Sequence, residues 1–158
     1  LVQDAVIAEN EAQMQDLWRL RESIAEAERG QGLAVKHDVS IPVSKMSAFI
    51  DVATQRVNRD FPDGIVVAFG HVGDGNVHYN IACIDPDAHA GFMARAGEMS
   101  KIVYDTVDEF GGSISAEHGI GILKREELAN RKPVDVKVMR AIKQALDPKG
   151  IMNPRVLF

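Results

Sequence analysis

One cysteine, one tryptophan and two tyrosines in 158 residues leave the chain no covalent cross-link and few aromatic anchors. Cys83 can form no internal disulfide, which fits a reducing compartment, and within the apolar run 79–84 it reads as a small buried side chain. Nowhere do apolar residues run for the roughly 18 positions that a membrane-spanning helix needs, so no such helix is expected. Basic clusters are missing too: 18 Lys and Arg stand against 23 Asp and Glu, for a net charge of -5 and a pI near 5.5. That balance disfavours a phosphate backbone, and no nucleic-acid partner is expected. There is no initiator Met, basic leader or internal repeat; Leu1 opens directly on a helical pattern, as in a piece of a longer chain. The length suits one domain with its own core.

Strong helix formers fill residues 1–29, where Leu17, Leu20 and Ile24 predict one buried face and Trp18 is assigned to the core. Gly30 and Gly32 are the expected stop. Val35, His37, Val39 and Ile41 then alternate with Lys36, Asp38 and Ser40, the period of a strand that puts Lys36 and Asp38 on one face. A helical pattern follows through Met46, Phe49, Ile50, Ala53 and Val57, and two strands, 64–70 and 76–84, come next. Asp85-Pro86-Asp87 caps one long helix to about residue 110, Gly111-Gly112 breaks it, residues 113–116 form a brief fourth strand, and a last helix covers about 134–146. The order predicts an α+β fold: a ferredoxin-like βαββαβ antiparallel sheet with helices on one face, plus flanking N- and C-terminal helices.

The stretch between the middle strands, 69–80, reads FGHVGDGNVHYN. Hairpin-turn chemistry explains Gly73 to Asn76 without a ligand, but not His71 and His78. Together with Glu117 they are the two nitrogens and one oxygen that a borderline divalent cation takes while a position stays open for water or substrate. Glu117-His118-Gly119-Ile120-Gly121 sets a carboxylate and an imidazole side by side on a glycine-lightened loop, although Glu117 could equally cap the loop. His37 and His89 lack such company and read as structural or exposed.

These motifs resemble a known family. Gly70-His71-Val72-Gly73-Asp74-Gly75-Asn76-Val77-His78, Ser115-Ala116-Glu117-His118-Gly119-Ile120-Gly121 with Lys124, and the stretch from Leu146 through Asp147-Pro148 to Asn153-Pro154 are similar to the C-terminal, substrate-side (cap) domain of FAD-linked oxidases of the vanillyl-alcohol-oxidase type. This is the group that holds D-lactate dehydrogenase, the glycolate oxidase FAD subunit and D-2-hydroxyglutarate dehydrogenase. Lys36 to Pro42 and Trp18 to Glu22 add weaker support.

The resemblance implies a flavoenzyme that oxidises a D-2-hydroxy acid to the 2-oxo acid. In it, His71, His78 and Glu117 hold a divalent metal, usually zinc, and His118 is the general base. Arg21, Lys36 and Asn80 meet the substrate, and Asn153 weakly meets the cofactor. Residues 1–158 would then be the C-terminal part of the cap domain. FAD is bound mainly by an N-terminal domain absent from the chain, and the fragment alone is expected to be inactive. A partner electron acceptor is implied, a homodimer is compatible, and the setting is cytoplasmic in a bacterium, at most peripheral to a membrane, or mitochondrial in a eukaryote.

Two departures stand out. Ala25 lies where dicarboxylate-specific members can carry a hydroxyl, which leans the expectation away from 2-hydroxyglutarate, and no Gly-Lys follows Asn153-Pro154. Two other classes fit the residues without the family: a stand-alone ferredoxin-like sensor of a metal or metabolite, and a metal-dependent hydrolase.

Overall fold

The two-residue alternation becomes strand β1 (Leu33–Ser40) in the computed structural model, which describes residues 4–29 and 32–158, the side chains at 25, 28 and 29 excepted. Helices α1 (Glu11–Glu22) and α2 (Ile24–Arg29) precede it. Then come α3 (Met46–Asp60), β2 (Ile65–His71), β3 (Asn76–Cys83), α4 (His89–Ala94), α5 (Ala96–Phe110), α6 (Arg125–Arg131) and α7 (Pro133–Leu146). The chain start at Leu1, the Gly30 helix stop and the Ala25 side chain lie outside the described residues.

The expected α+β class holds: the three strands form one antiparallel sheet in the order β1-β3-β2, with α3 and α5 packed on one face. Its register pairs His37 with Tyr79, Val39 with Val77 and Val66 with Ile81. Side chains alternate across a pleated strand, so this row faces the helices, meeting Phe49, Ala53 and Val57 of α3 and Met99, Val103 and Val107 of α5. Burial of each such large apolar side chain contributes about 1.5–3 kcal/mol. The alternate row carries Lys36 and Asp38 opposite Asn80 and His78, with Phe69 opposite His78 from the other side and His71 opposite Asn76. The pleat therefore separates core from chemistry.

The fourth strand contracts to a single antiparallel bridge, Ser113 to Ser40, beside β1. Beyond it the loop stays tied to Asp38, whose backbone carbonyl accepts from Ala116 N–H at 3.3 Å and whose carboxylate accepts from the N–H groups of Ala116, Glu117 and His118. The long helix expected after Asp85 is interrupted at Arg95, which separates α4 from α5, and α6 was not anticipated. At the N-terminus, α1 buries none of its residues: Leu17, Leu20 and Trp18 are exposed. An apolar stripe is buried only where another element covers it, and among the described residues none covers this one, so Trp18 is not a core residue.

His37 is structural and fully enclosed. Its Nδ1–H donates to the Tyr79 carbonyl oxygen at 2.8 Å and its Nε2 accepts from the Ser100 hydroxyl at 3.0 Å. Burial pushes its pKa down to about 4, against the pull of the Tyr79 carbonyl and with some help from Lys124. The unfolded chain takes up a proton near the ordinary value of about 6.5, which the folded chain refuses until about 4. Stability is therefore expected to be complete above pH 6.5 and to fall by an amount on the order of 3 kcal/mol as pH drops through that window. Urea titrations from pH 7 to 4 check this: His37→Gln should flatten the slope, and parallel slopes would remove His37 as its cause.

Candidate active site

Two glycines shape the hairpin that carries the histidines. Gly75 has a φ of +78°, and a Cβ there would run into the carbonyl oxygen of Ile41; at Gly70 it would run into that of Asn76. His71 thus ends β2 while His78 sits near the start of β3, with ring centroids 6.4 Å apart on the open face of the sheet. The loop after α5 brings Glu117 over both rings: Oε1 lies 3.7 Å from His71 Nε2, and Oε2 lies 3.6 Å from His78 Nε2.

Those separations exceed a hydrogen bond. They are close to the roughly 3.4 Å between neighbouring ligands of a tetrahedral ion with bonds of about 2.0–2.1 Å. One nitrogen from each histidine and one carboxylate oxygen lie within 4.8 Å of one another, so the donor set fits a divalent cation in chemistry and spacing. A second trio, Asp38, His78 and His118, meets the same distance limit but shares His78 and includes a nearly inaccessible carboxylate.

Asp38 was the residue that the sequence reading passed over. Its Oδ2 accepts the backbone N–H groups of Ala116, Glu117 and His118 at 3.2, 2.8 and 2.8 Å. Burial pushes its carboxyl up, but those N–H groups outweigh the push and hold its pKa below the usual carboxylate value. Its only advance signal was the alternation that placed it beside Lys36; the register then sets it opposite His78. The imidazole of His118 stands next in line, Nδ1 3.7 Å from Asp38 Oδ2 and its ring 5.9 Å from that of His78.

A cavity of about 620 Å³ opens beside this cluster, lined by Lys36, Asn80, Phe69, His78, His118 and the loop from Gly119 to Lys124. Lys124 donates to the Ile114 carbonyl oxygen at 2.9 Å, and burial holds its ammonium below the usual lysine range despite Asp38. Six of the sequence-selected residues, His71, His78, Glu117, His118, Lys36 and Asn80, thus share one face of the sheet or its covering loop. Arg21 stands at the edge, 5.8 Å over the Phe69 ring and donating to the Gly70 carbonyl oxygen at 3.4 Å, nearer His71 than the cavity. Asn153 does not line the cavity; it sits at a φ of +43° in the turn after α7.

Two imidazoles and a carboxylate thus stand beside a cavity with a lysine wall, a grouping able to hold a cation. The family model described as FAD linked oxidases, C-terminal domain, matches residues 1–157, and the chain belongs to that family. It is 41% identical over 158 residues to a D-2-hydroxyglutarate dehydrogenase of Stutzerimonas stutzeri, covering 99% of this chain and 34% of that protein. Against the enzyme of that name from Xanthomonas citri pv. viticola the identity is 42%, over 99% of this chain and 33% of the relative. The mitochondrial one of Rattus norvegicus is 41% identical over 98% of this chain and 28% of its own length. The chain thus spans about a third of the length of these relatives. Among the described residues no helix is long and apolar enough to cross a membrane.

Proposed function

We propose that the chain is the substrate- and cation-binding part of an FAD-dependent dehydrogenase that oxidises a D-2-hydroxy acid to the 2-oxo acid. The observation that carries this reading is the convergence of His71, His78 and Glu117 with His118 beside a cavity walled by Lys36 and Asn80. Family membership favours it over a free-standing sensor or a hydrolase.

His71 Nε2, His78 Nε2 and a Glu117 oxygen would hold the divalent cation, zinc by the donor set. When bound, such an ion supplies Lewis acidity that lowers the pKa of a coordinated hydroxyl. Because the chain spans about a third of its relatives' length, the flavin would be held mainly by the remainder of the protein. Lys36 and Asn80 orient the substrate carboxylate in the cavity, with the Arg21 guanidinium closing the side next to His71. His118 takes the proton of the substrate hydroxyl at its imidazole nitrogen. The loop from Ile120 to Leu123 lines the cavity beside these residues.

D-2-Hydroxyglutarate heads the substrate panel because relatives at 41–42% identity carry that name, whereas Ala25 pulls toward a monocarboxylate such as D-lactate or glycolate. Bleaching of the flavin in the full-length protein by D- and L-2-hydroxy acids decides among them. Reduction by a D-acid and not its L-form is expected; no bleaching by any of them would overturn the proposal. For a eukaryotic chain the proposed setting is the mitochondrion, which the rat relative's name states.

A further inference from the structure

We infer that Asp38 is a positioning residue that serves both halves of the site, fixing the tautomer of His78 through Oδ1 while Oδ2 holds the Glu117–His118 loop. The second half is visible directly in the three successive backbone N–H groups that converge on Oδ2. The first half follows from what Oδ1 lacks. It is buried and has no hydrogen-bond partner, a state that costs stability unless a donor is supplied. The group facing it is His78 Nδ1 at 3.8 Å, less than about 1 Å beyond hydrogen-bond length. His118 Nδ1 lies toward the other oxygen, which already accepts three bonds.

His78 is therefore caught between two carboxylates, with Nδ1 toward Asp38 and Nε2 toward Glu117 at 3.6 Å. A neutral imidazole has one N–H to give. If it is spent on Asp38 Oδ1, the Nε2 lone pair faces the Glu117 carboxylate, and two acceptors that close are at rest only with a cation between them. If it is spent on Glu117, Oδ1 stays orphaned and the ring cannot ligate through Nε2. The buried orphan decides for the first arrangement: Asp38 sets the ring so that Nε2 is the ligand, as outer partners of metal-bound histidines do. Because the same carboxylate anchors the backbone of Glu117 and His118, the cation cup and the base are held from a single point on β1.

The inference rests on the proposed cation site, so its test has one arm that needs no metal. In the full-length protein with 15N-labelled histidine, and with His78→Gln used to assign the signal, metal-free His78 is expected to show the Nδ1–H tautomer. In Asp38→Asn, whose amide oxygen can still accept from the loop while its NH2 turns to His78, the tautomer should switch to Nε2–H. Zinc affinity measured by chelator competition should weaken roughly 10–100-fold. An Nε2–H tautomer in the parent protein would overturn the inference whether or not the variant folds. Unchanged tautomer and zinc affinity in Asp38→Asn would overturn it while leaving the cation site standing. Should the parent protein bind no zinc, the cation site fails, and the tautomer switch alone decides the role of Asp38.

Discussion

In the full-length protein, on the proposed function, His118→Gln is expected to keep the cation of the proposed site and to lose at least about a hundredfold in turnover, the usual scale for removal of a general base. The loop does not depend on the imidazole: what ties it down is the backbone N–H of residue 118, donated to Asp38 Oδ2 at 2.8 Å, and glutamine keeps that N–H. The ring itself is two-thirds exposed toward the cavity, and it is not one of the three side chains in the cup formed by His71, His78 and Glu117. Loss of the ring should thus remove proton acceptance without opening the cation site. The diagnostic pattern is a fall in kcat with metal content, measured by elemental analysis, near that of the parent. Near-normal turnover would strip His118 of the role; loss of metal along with turnover would show instead that it supports the cup.

The parts of this arrangement that could be read in the sequence are those that repeat with a period or announce themselves by residue type. Alternation in 35–41 located β1, and with it the shared face of Lys36 and Asp38, while the three- and four-residue spacing of Phe49, Ala53 and Val57 located the buried side of α3. His71 and His78 stood out because turn chemistry accounts for the glycines between them and leaves the imidazoles over. What could not be read depended on pairing across the chain. Asp38 looks like any polar residue on the exposed beat of a strand; only the loop 78–80 positions later, folding down onto it, makes it a buried anchor. Along the same stretch the expected fourth strand is reduced to the single bridge at Ser113, and the N–H groups of Glu117 and His118 go to a side chain rather than to a ladder. The stripe on α1 misled for the opposite reason: periodicity reports that a face is apolar but says nothing about whether this chain covers it.

Replacing His78 should have the largest effect of all on the cation. In His78→Gln, the full-length protein is expected to lose bound zinc altogether under conditions that saturate the parent, a greater loss than the roughly 10–100-fold of an outer partner. His78 is the central member, its ring between Asp38 on one side and Glu117 on the other, and it is the more enclosed of the two histidines: its side chain is 16% exposed against 50% for His71. A ligand with so little access to water cannot be exchanged for solvent without rearranging β3, whereas a water can stand in for His71 more readily. His71→Gln is therefore expected to weaken zinc less than His78→Gln. A thermal readout separates this from misfolding. Zinc at about 100 times its Kd should stabilise the parent by about 2.7 kcal/mol through mass action, and the same addition should leave the melting temperature of His78→Gln where it was. Equal zinc occupancy in parent and variant, or an equal thermal shift, would remove His78 from the cup. The remaining pair, His71 and Glu117, 3.7 Å apart on an exposed edge, is too little to hold an ion by itself.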